Sequence, residues 1–304
     1  MLTDSLALKT ATKMRLASIL YRALKSIRSF AGATDVARVR RNGLRWELDL
    51  REGIDLAIFA FGSFERETAH ALKNLVTPGS TVLDIGANIG AYTLNLGRLV
   101  GPTGKVYAFE PTNYGFSKLK RNLALNPEIS ARVVAEQCRL TSESKLGRSV
   151  EVYSSWKVVG QERRHPKHLG IAHSTAAATV LTLDNYCHNA NLCGVSFVKL
   201  DVDGFETEVL SGGIQTLRRD LPTICMELAP YALEERGSSL TELLCVLGSL
   251  GYHLVRLKDL GNHTESAGFF SAQIADASGV IVVALPANRP PGSRGYAKRP
   301  RFAS

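Results

Sequence analysis

The chain has 304 residues, 45% hydrophobic and 21% charged, which excludes a disordered or fibrous protein and allows one large α/β domain. Its formal charge of +9 does not mark a nucleic-acid groove, because residues 1–30 carry +5, residues 286–304 another +5, and the 255 residues between them only −1. Five cysteines, widely spaced and without a C-x-x-C pair, favour a reducing, cytoplasmic setting, and no apolar run approaches the roughly 18 residues that a membrane span requires.

From Arg15 to Phe30 the spacing predicts a basic amphipathic helix, with Leu16, Ile19, Leu20, Leu24, Ile27 and Phe30 on one face and Arg15, Arg22, Lys25 and Arg28 opposite. Such a helix packs on the domain or a partner subunit; peripheral contact with an anionic membrane is the alternative, and a transit peptide a third. Residues 45–61 alternate apolar with polar and predict a hairpin. Strands are then expected at 81–85, 105–109, 132–136, 197–201, 223–228, 253–257 and 280–284, with helices at 92–99, 113–126, 206–219 and 240–250.

This alternation is the mark of an α/β fold: a seven-stranded, mostly parallel sheet with helices on both faces. The last two strands lack an intervening helix and should close the sheet antiparallel. Residues 140–183 hold extra strands, at 149–153 and 178–183, around a polar loop, an insertion of the kind that decorates the ligand end of a sheet. The domain is expected over 45–285, after a helix and linker at 1–44. The stretch 286–304, with four prolines and five cations, is expected to be a disordered basic tail.

The strongest local signal is Val82-Leu83-Asp84-Ile85-Gly86-Ala87-Asn88-Ile89-Gly90, a buried strand running into a glycine turn that opens a helix. Gly86 permits the tight bend, and Gly90 removes a side chain where ligand or strand must approach the helix. The spacing is D-x-G-x-x-x-G rather than the dinucleotide G-x-G-x-x-G, and no phosphate loop is present. Asp84 would repel a diphosphate but tolerate S-adenosyl-L-methionine, a cation without phosphate, so the methyl donor is favoured over NAD. Glu110, twenty residues beyond Gly90 at the end of the second strand, is the expected ligand of the ribose hydroxyls.

A third cluster, Lys199-Leu200-Asp201-Val202-Asp203-Gly204-Phe205-Glu206, crowds the end of the fourth strand. An acceptor hydroxyl needs its proton shared, and Asp201 first, Glu206 second, are the candidate bases, with Lys199 orienting the acceptor or a neighbour. Asp203 and Glu208 read as acids at a helix N-terminus. Asp201 and Asp203 would alternatively hold a divalent cation, although no clear third ligand accompanies them, and no metal is assigned. His165, His168 and His173 match no zinc spacing and read as incidental to a loop.

Taken together, Gly62-x-Phe64-Glu65, Asp84-x-Gly86-x-Asn88-x-Gly90, Phe109-Glu110-Pro111, Leu183-Asp184 and Lys199-x-Asp201-x-Asp203-Gly204-x-Glu206 resemble the FkbM-type methyltransferases over roughly residues 45–285. The resemblance implies the Rossmann-like class I methyltransferase fold and S-adenosylmethionine-dependent methylation of a hydroxyl on a sugar, polyketide or related small molecule. It further implies that Asp84, Gly86, Asn88 and Gly90 line the methionine half of the cofactor, that Glu110 binds the ribose, and that Glu65 approaches the same crevice. The family usually has Glu where this chain has Asp203. The competing functions are a nucleic-acid methyltransferase, against which stands the absence of an N/D-P-P-Y/F turn after the fourth strand, and a non-catalytic binding module on the same fold. No specific nucleic acid is expected; the acceptor and the oligomeric state stay open.

Overall fold

Runs rich in valine, isoleucine and leucine form the sheet strands, and amphipathic runs form the helices that cover them. The computed structural model describes residues 10–160, 162–257, 260 and 279–287. The chain opens with α1 (Thr10–Phe30), a hairpin of β1 (Val36–Arg41) and β2 (Leu44–Asp49), and helices α2 (Gly53–Phe61) and α3 (Arg66–Leu75). It continues through β3 (Thr81–Ile85), α4 (Thr93–Leu99), β4 (Lys105–Phe109), α5 (Asn113–Ala124), α6 (Pro127–Ser130) and β5 (Val133–Glu136). An insertion follows, comprising β6 (Cys138–Leu140), β7 (Glu151–Ser155), β8 (Ile171–Ser174), β9 (Thr179–Leu181) and α7 (Leu183–Asn189). The last section holds β10 (Val195–Leu200), α8 (Glu206–Ser211), α9 (Ile214–Asp220), β11 (Thr223–Leu228), α10 (Pro230–Glu235), α11 (Leu240–Ser249), β12 (Tyr252–Arg256) and β13 (Val280–Pro286).

The principal sheet has the order β12-β13-β11-β10-β3-β4-β5. Pairs from β11 through β10, β3 and β4 to β5 are parallel, whereas β13 runs antiparallel to both β11 and β12. This is the seven-stranded class I arrangement, with its antiparallel closing strand. Side chains alternate across the sheet: Leu83, Val198 and Ile224 pack toward α7, α8, α9 and α11, while Val82, Phe197 and Cys225 pack toward α3 and α4. From β3 the chain moves outward to β4 and β5, and from β10 it moves the opposite way. The crevice beyond the carboxyl ends of β3 and β10 is therefore the topological switch point, where such sheets bind ligands.

Helices α3, α7 and α10 are additional to the sequence expectation, and three further elements differ from it. The hairpin lies at Val36–Asp49, turning at Asn42-Gly43 with both residues at positive φ, and so begins before residue 45. Residues 53–61 form a helix instead of a second strand, because Gly-Ile-Asp-Leu-Ala-Ile-Phe-Ala-Phe loses the alternation and buries Asp55, Leu56 and Ile58 against the hairpin. The helix expected at 206–219 breaks into α8 and α9 at Gly212-Gly213, where a Cβ on Gly212 would come within 2.0 Å of the Thr141 carbonyl oxygen. The basic tail beyond 287 and most of segment 258–279 lie outside the described residues.

Helix α1 divides its apolar residues between two faces. Tyr21 is buried among Trp46, Leu48 and Leu56, donates to Asp35 Oδ1 (2.9 Å), and has Met14, Ala17, Leu20 and Leu24 beside it. Leu16, Ile19, Ile27 and Phe30, which the sequence groups with that face, are turned outward.

Helices α2 and α5 are joined by a buried ion pair, Lys118 Nζ to Asp55 Oδ1 at 2.7 Å, and Asp55 Oδ1 also accepts the Asp49 N–H. Burial pushes the Asp55 carboxyl above its ordinary value despite the pair. Lys118→Met would leave that carboxylate without its cation and should cost about 3–5 kcal/mol in urea denaturation. A loss under about 1 kcal/mol would show that Asp55 is carried neutral.

Candidate active site

The turn after β3 is built by backbone approach. Gly86 has φ +88°, its N–H donates to the Phe109 carbonyl (3.0 Å), and an added Cβ would stand 1.8 Å from the Asp201 carbonyl oxygen. Only glycine brings the tips of β3 and β10 this close. Gly90, at φ +90°, faces the packing side: a Cβ there would meet Leu94 and Leu119 at 2.8 Å. Asp84 is buried one layer beneath the crevice and accepts from Thr93 Oγ1 (2.6 Å), tying β3 to the start of α4. Burial raises its carboxyl to about 6.

Glu110 is buried beside the same turn. Its Oε2 accepts the Asn88 N–H (2.9 Å), and its Oε1 accepts the N–H and hydroxyl of Thr112 (3.0 and 2.5 Å). Asn88 sits at φ +48°, and its Nδ2 donates to the Ser154 carbonyl (3.2 Å), so the insertion strand β7 closes over the turn. Burial raises the Glu110 carboxyl, against the hydrogen bonds that favour its anion.

At the tip of β10, Lys199 is fully buried, reaches Asp201 Oδ2 (2.9 Å) and lies 4.9 Å from the centre of the Tyr92 ring. Burial disfavours its ammonium, but Asp201 and the other acids outweigh this and raise its pKa. The Tyr92 hydroxyl makes a short hydrogen bond to Glu65 Oε2, which also accepts from Thr68. Asp203 stands in the left-handed region (φ +50°), and burial together with Asp201 holds its carboxyl well above the usual range. Glu206 is turned onto its own loop, where Oε1 accepts the Val202 N–H (3.2 Å), and burial raises it to about 7. Glu208 accepts from Thr141 Oγ1 (2.7 Å) and Arg139, fastening α8 to the insertion.

Two adjoining cavities open here and share Gly86, Asn88, Asp201 and Asp203. The smaller, about 60 Å³, runs past Glu110, Cys138, Tyr153 and Phe205. The larger, about 660 Å³, has Glu65, Tyr92, Asp201, Asp203 and Glu227 on one side and apolar residues of α1 and α2 with Trp156 on the other. Of the residues expected from the sequence, Glu65, Gly86, Asn88, Glu110 and Asp201 line these cavities. Asp84, Gly90, Lys199 and Glu206 stand behind them.

A model of the FkbM methyltransferase domain matches residues 84–254, more than half of the chain. The chain belongs to the FkbM methyltransferase family. Among curated relatives, methyltransferase sdnD of Sordaria araneosa is 44% identical over 63 residues, 21% of this chain and 24% of that protein. The 31-O-demethyl-FK506 methyltransferase FkbM of Streptomyces tacrolimicus is 25% identical over 206 residues, 60% of this chain and 76% of that one. A crystal structure of methyltransferase FkbM from Methylobacillus flagellatus KT, 16% identical, aligns with 68% of this chain and 44% of its own at a TM-score of 0.43. The chain thus spans about a quarter of the Sordaria protein and under half of the Methylobacillus chain.

Within this FkbM domain, Glu227 and Tyr92 escaped the sequence reading. Glu227 is next to last in β11, and burial, then Asp201, pushes its carboxyl up. The rule that strand carboxyl ends border the crevice would have selected it, since it is the one ionisable carboxylate of its strand. The histidine loop forms a clasp: the His165 and His168 rings stack at 3.9 Å, and His165 Nε2 lies 3.0 Å from Glu235 Oε2. Backbone N–H groups of Lys167 and His168 donate to His165 Nδ1, and that of Gly170 to His168 Nδ1, placing each ring proton on Nε2. The three side chains could gather round an ion, yet those protons occupy the positions a metal would need.

Proposed function

We propose that this chain is an S-adenosylmethionine-dependent O-methyltransferase acting on a hydroxyl of a small molecule. The observation that carries this reading is the charge at the switch point, where Asp201, Asp203, Glu227 and Glu65 line one cavity with Lys13 of α1 as its ammonium, Glu110 lines the next, and Lys199 pairs with Asp201 from behind. Such a rim attracts a cationic ligand and opposes a pyrophosphate. Asn88 Oδ1 and Ser154 Oγ, buried without a hydrogen-bond partner among the described residues, fit a polar ligand in the smaller cavity that both residues line. When bound, S-adenosylmethionine supplies a methyl group on a sulfonium.

Glu110 already accepts three hydrogen bonds from Thr112 and Asn88, which leaves Oε2 a lone pair for one ribose hydroxyl. Asn88 holds the methionine half, with Glu65 near its ammonium. Asp84 acts as a positioning residue through Thr93, and Gly90 through the seating of α5. The chain's part in transfer would be to hold the acceptor hydroxyl beside Asp201 in a fixed orientation. Asp201, fixed by Lys199, takes the hydroxyl proton, with Glu227 as the neighbouring carboxylate. Glu206 serves its own loop. The five free thiols support a reducing, cytoplasmic location.

Titration calorimetry of the purified chain should show micromolar binding of S-adenosylmethionine and none of NAD. Preference for a dinucleotide would overturn the reading, and absence of any binding would favour a non-catalytic module. Labelled methyl transfer into host extracts then identifies the acceptor.

A further inference from the structure

We infer that α1 seats the protein on an anionic bilayer, and that the acceptor is an apolar or amphiphilic hydroxyl compound entering the larger cavity from that bilayer. This deepens the methyltransferase reading and rests on it. Leu16, Ile19, Ile27 and Phe30 fall on one stripe of a 3.6-residue helix and are 52%, 59%, 69% and 95% exposed. A water-facing stripe of that composition is unusual for a surface helix already docked through its other face. Residues 10–30 contain five cations and no acid, and Arg15, Arg22 and Lys25 are exposed. Hydrocarbon flanked by arginine and lysine is the composition of a helix lying in a lipid interface.

The stripe is continuous with the cavity. Leu16 belongs to both, and Phe61 of α2, 61% exposed, stands with it among the lining residues. Inside, Leu20, Ile54, Ala57 and Trp156 form hydrocarbon walls, while the carboxylates lie together at the sheet edge. A sugar would press several hydroxyls against those walls without partners. An amphiphile places one hydroxyl at Asp201 and its chain along α1 and α2 toward the lipid. A second copy of the chain is a poorer occupant of the stripe, because pairing two α1 helices brings ten positive charges together with no acid on either helix.

The test uses the full chain and sedimentation with vesicles of phosphatidylcholine, alone or mixed with phosphatidylglycerol. Binding should appear with the anionic vesicles and weaken with salt. Arg15→Ala/Arg22→Ala should lower the partition coefficient roughly 30-fold, and Ile19→Ser/Ile27→Ser/Phe30→Ser on the order of 100-fold. Cofactor binding by calorimetry should be unchanged in both. Dodecanol should shift Trp156 fluorescence saturably, and methyl glucoside should not. The inference is overturned if the chain stays in the supernatant, if the serine variant sediments like the parent, if the parent is a dimer that the serine variant dissociates, or if the glucoside alone perturbs Trp156. Vesicle binding with no affinity for S-adenosylmethionine would overturn the transferase reading instead.

Discussion

Asp201→Asn is expected to lower the rate of methyl transfer by about 10²–10⁴-fold, the usual contribution of a positioned general base. Asparagine keeps the shape of the side chain and a contact for Lys199, so affinity for S-adenosylmethionine should stay within a few-fold and the loss should fall on kcat. Glu227→Gln should act through pH. Burial and Asp201 raise the Glu227 carboxyl, so the parent enzyme gains activity as pH rises and this neighbour ionises, and the glutamine variant should lose that dependence. Transfer of labelled methyl to the acceptor, followed across pH with cofactor affinity measured in parallel, separates the two effects. Near-normal turnover of Asp201→Asn with cofactor affinity intact would place the base elsewhere.

How much of this was legible in the sequence depended on whether the signal was local. The turn from Asp84 to Gly90 and the strands at 81–85, 105–109 and 223–228 were readable because apolar runs and glycines act within a few residues. The roles of individual acids were not, because depth below the crevice is set by neighbouring strands: Asp84 and Asp201 each end a central strand, yet one is buried beneath the turn and the other lines the cavity. Glu206 shows the same limit, since only the loop geometry sends its carboxyl back to Val202. For α1, periodicity identified a basic amphipathic helix but could not divide its apolar residues between the domain and solvent. That division follows from contacts with Trp46 and Leu56, far along the chain.

The same depth makes removal of Lys199 costly to folding. Its ammonium is wholly buried, paired with Asp201, and lowers the carboxyls of Asp84 and Glu227 against burial that drives them up. Lys199→Met keeps the stem and deletes the charge, so at about pH 8 it should cost about 3–5 kcal/mol, as for other buried pairs broken on one side. The cost should shrink toward about pH 5. Asp84 rises from 3.8 to about 6 on folding and Glu206 from 4.5 to about 7. A raised carboxyl favours the folded state fully below its unfolded value, and that advantage disappears as pH climbs through the folded value, about 3 kcal/mol for each of these two. Without the ammonium, Asp84 and Glu227 climb further, so the variant loses more over the same interval than the parent does. Urea denaturation of both proteins between about pH 5 and pH 8 should show curves that diverge with rising pH. A constant gap would mean that Lys199 contributes packing alone, with the acids around it already neutral.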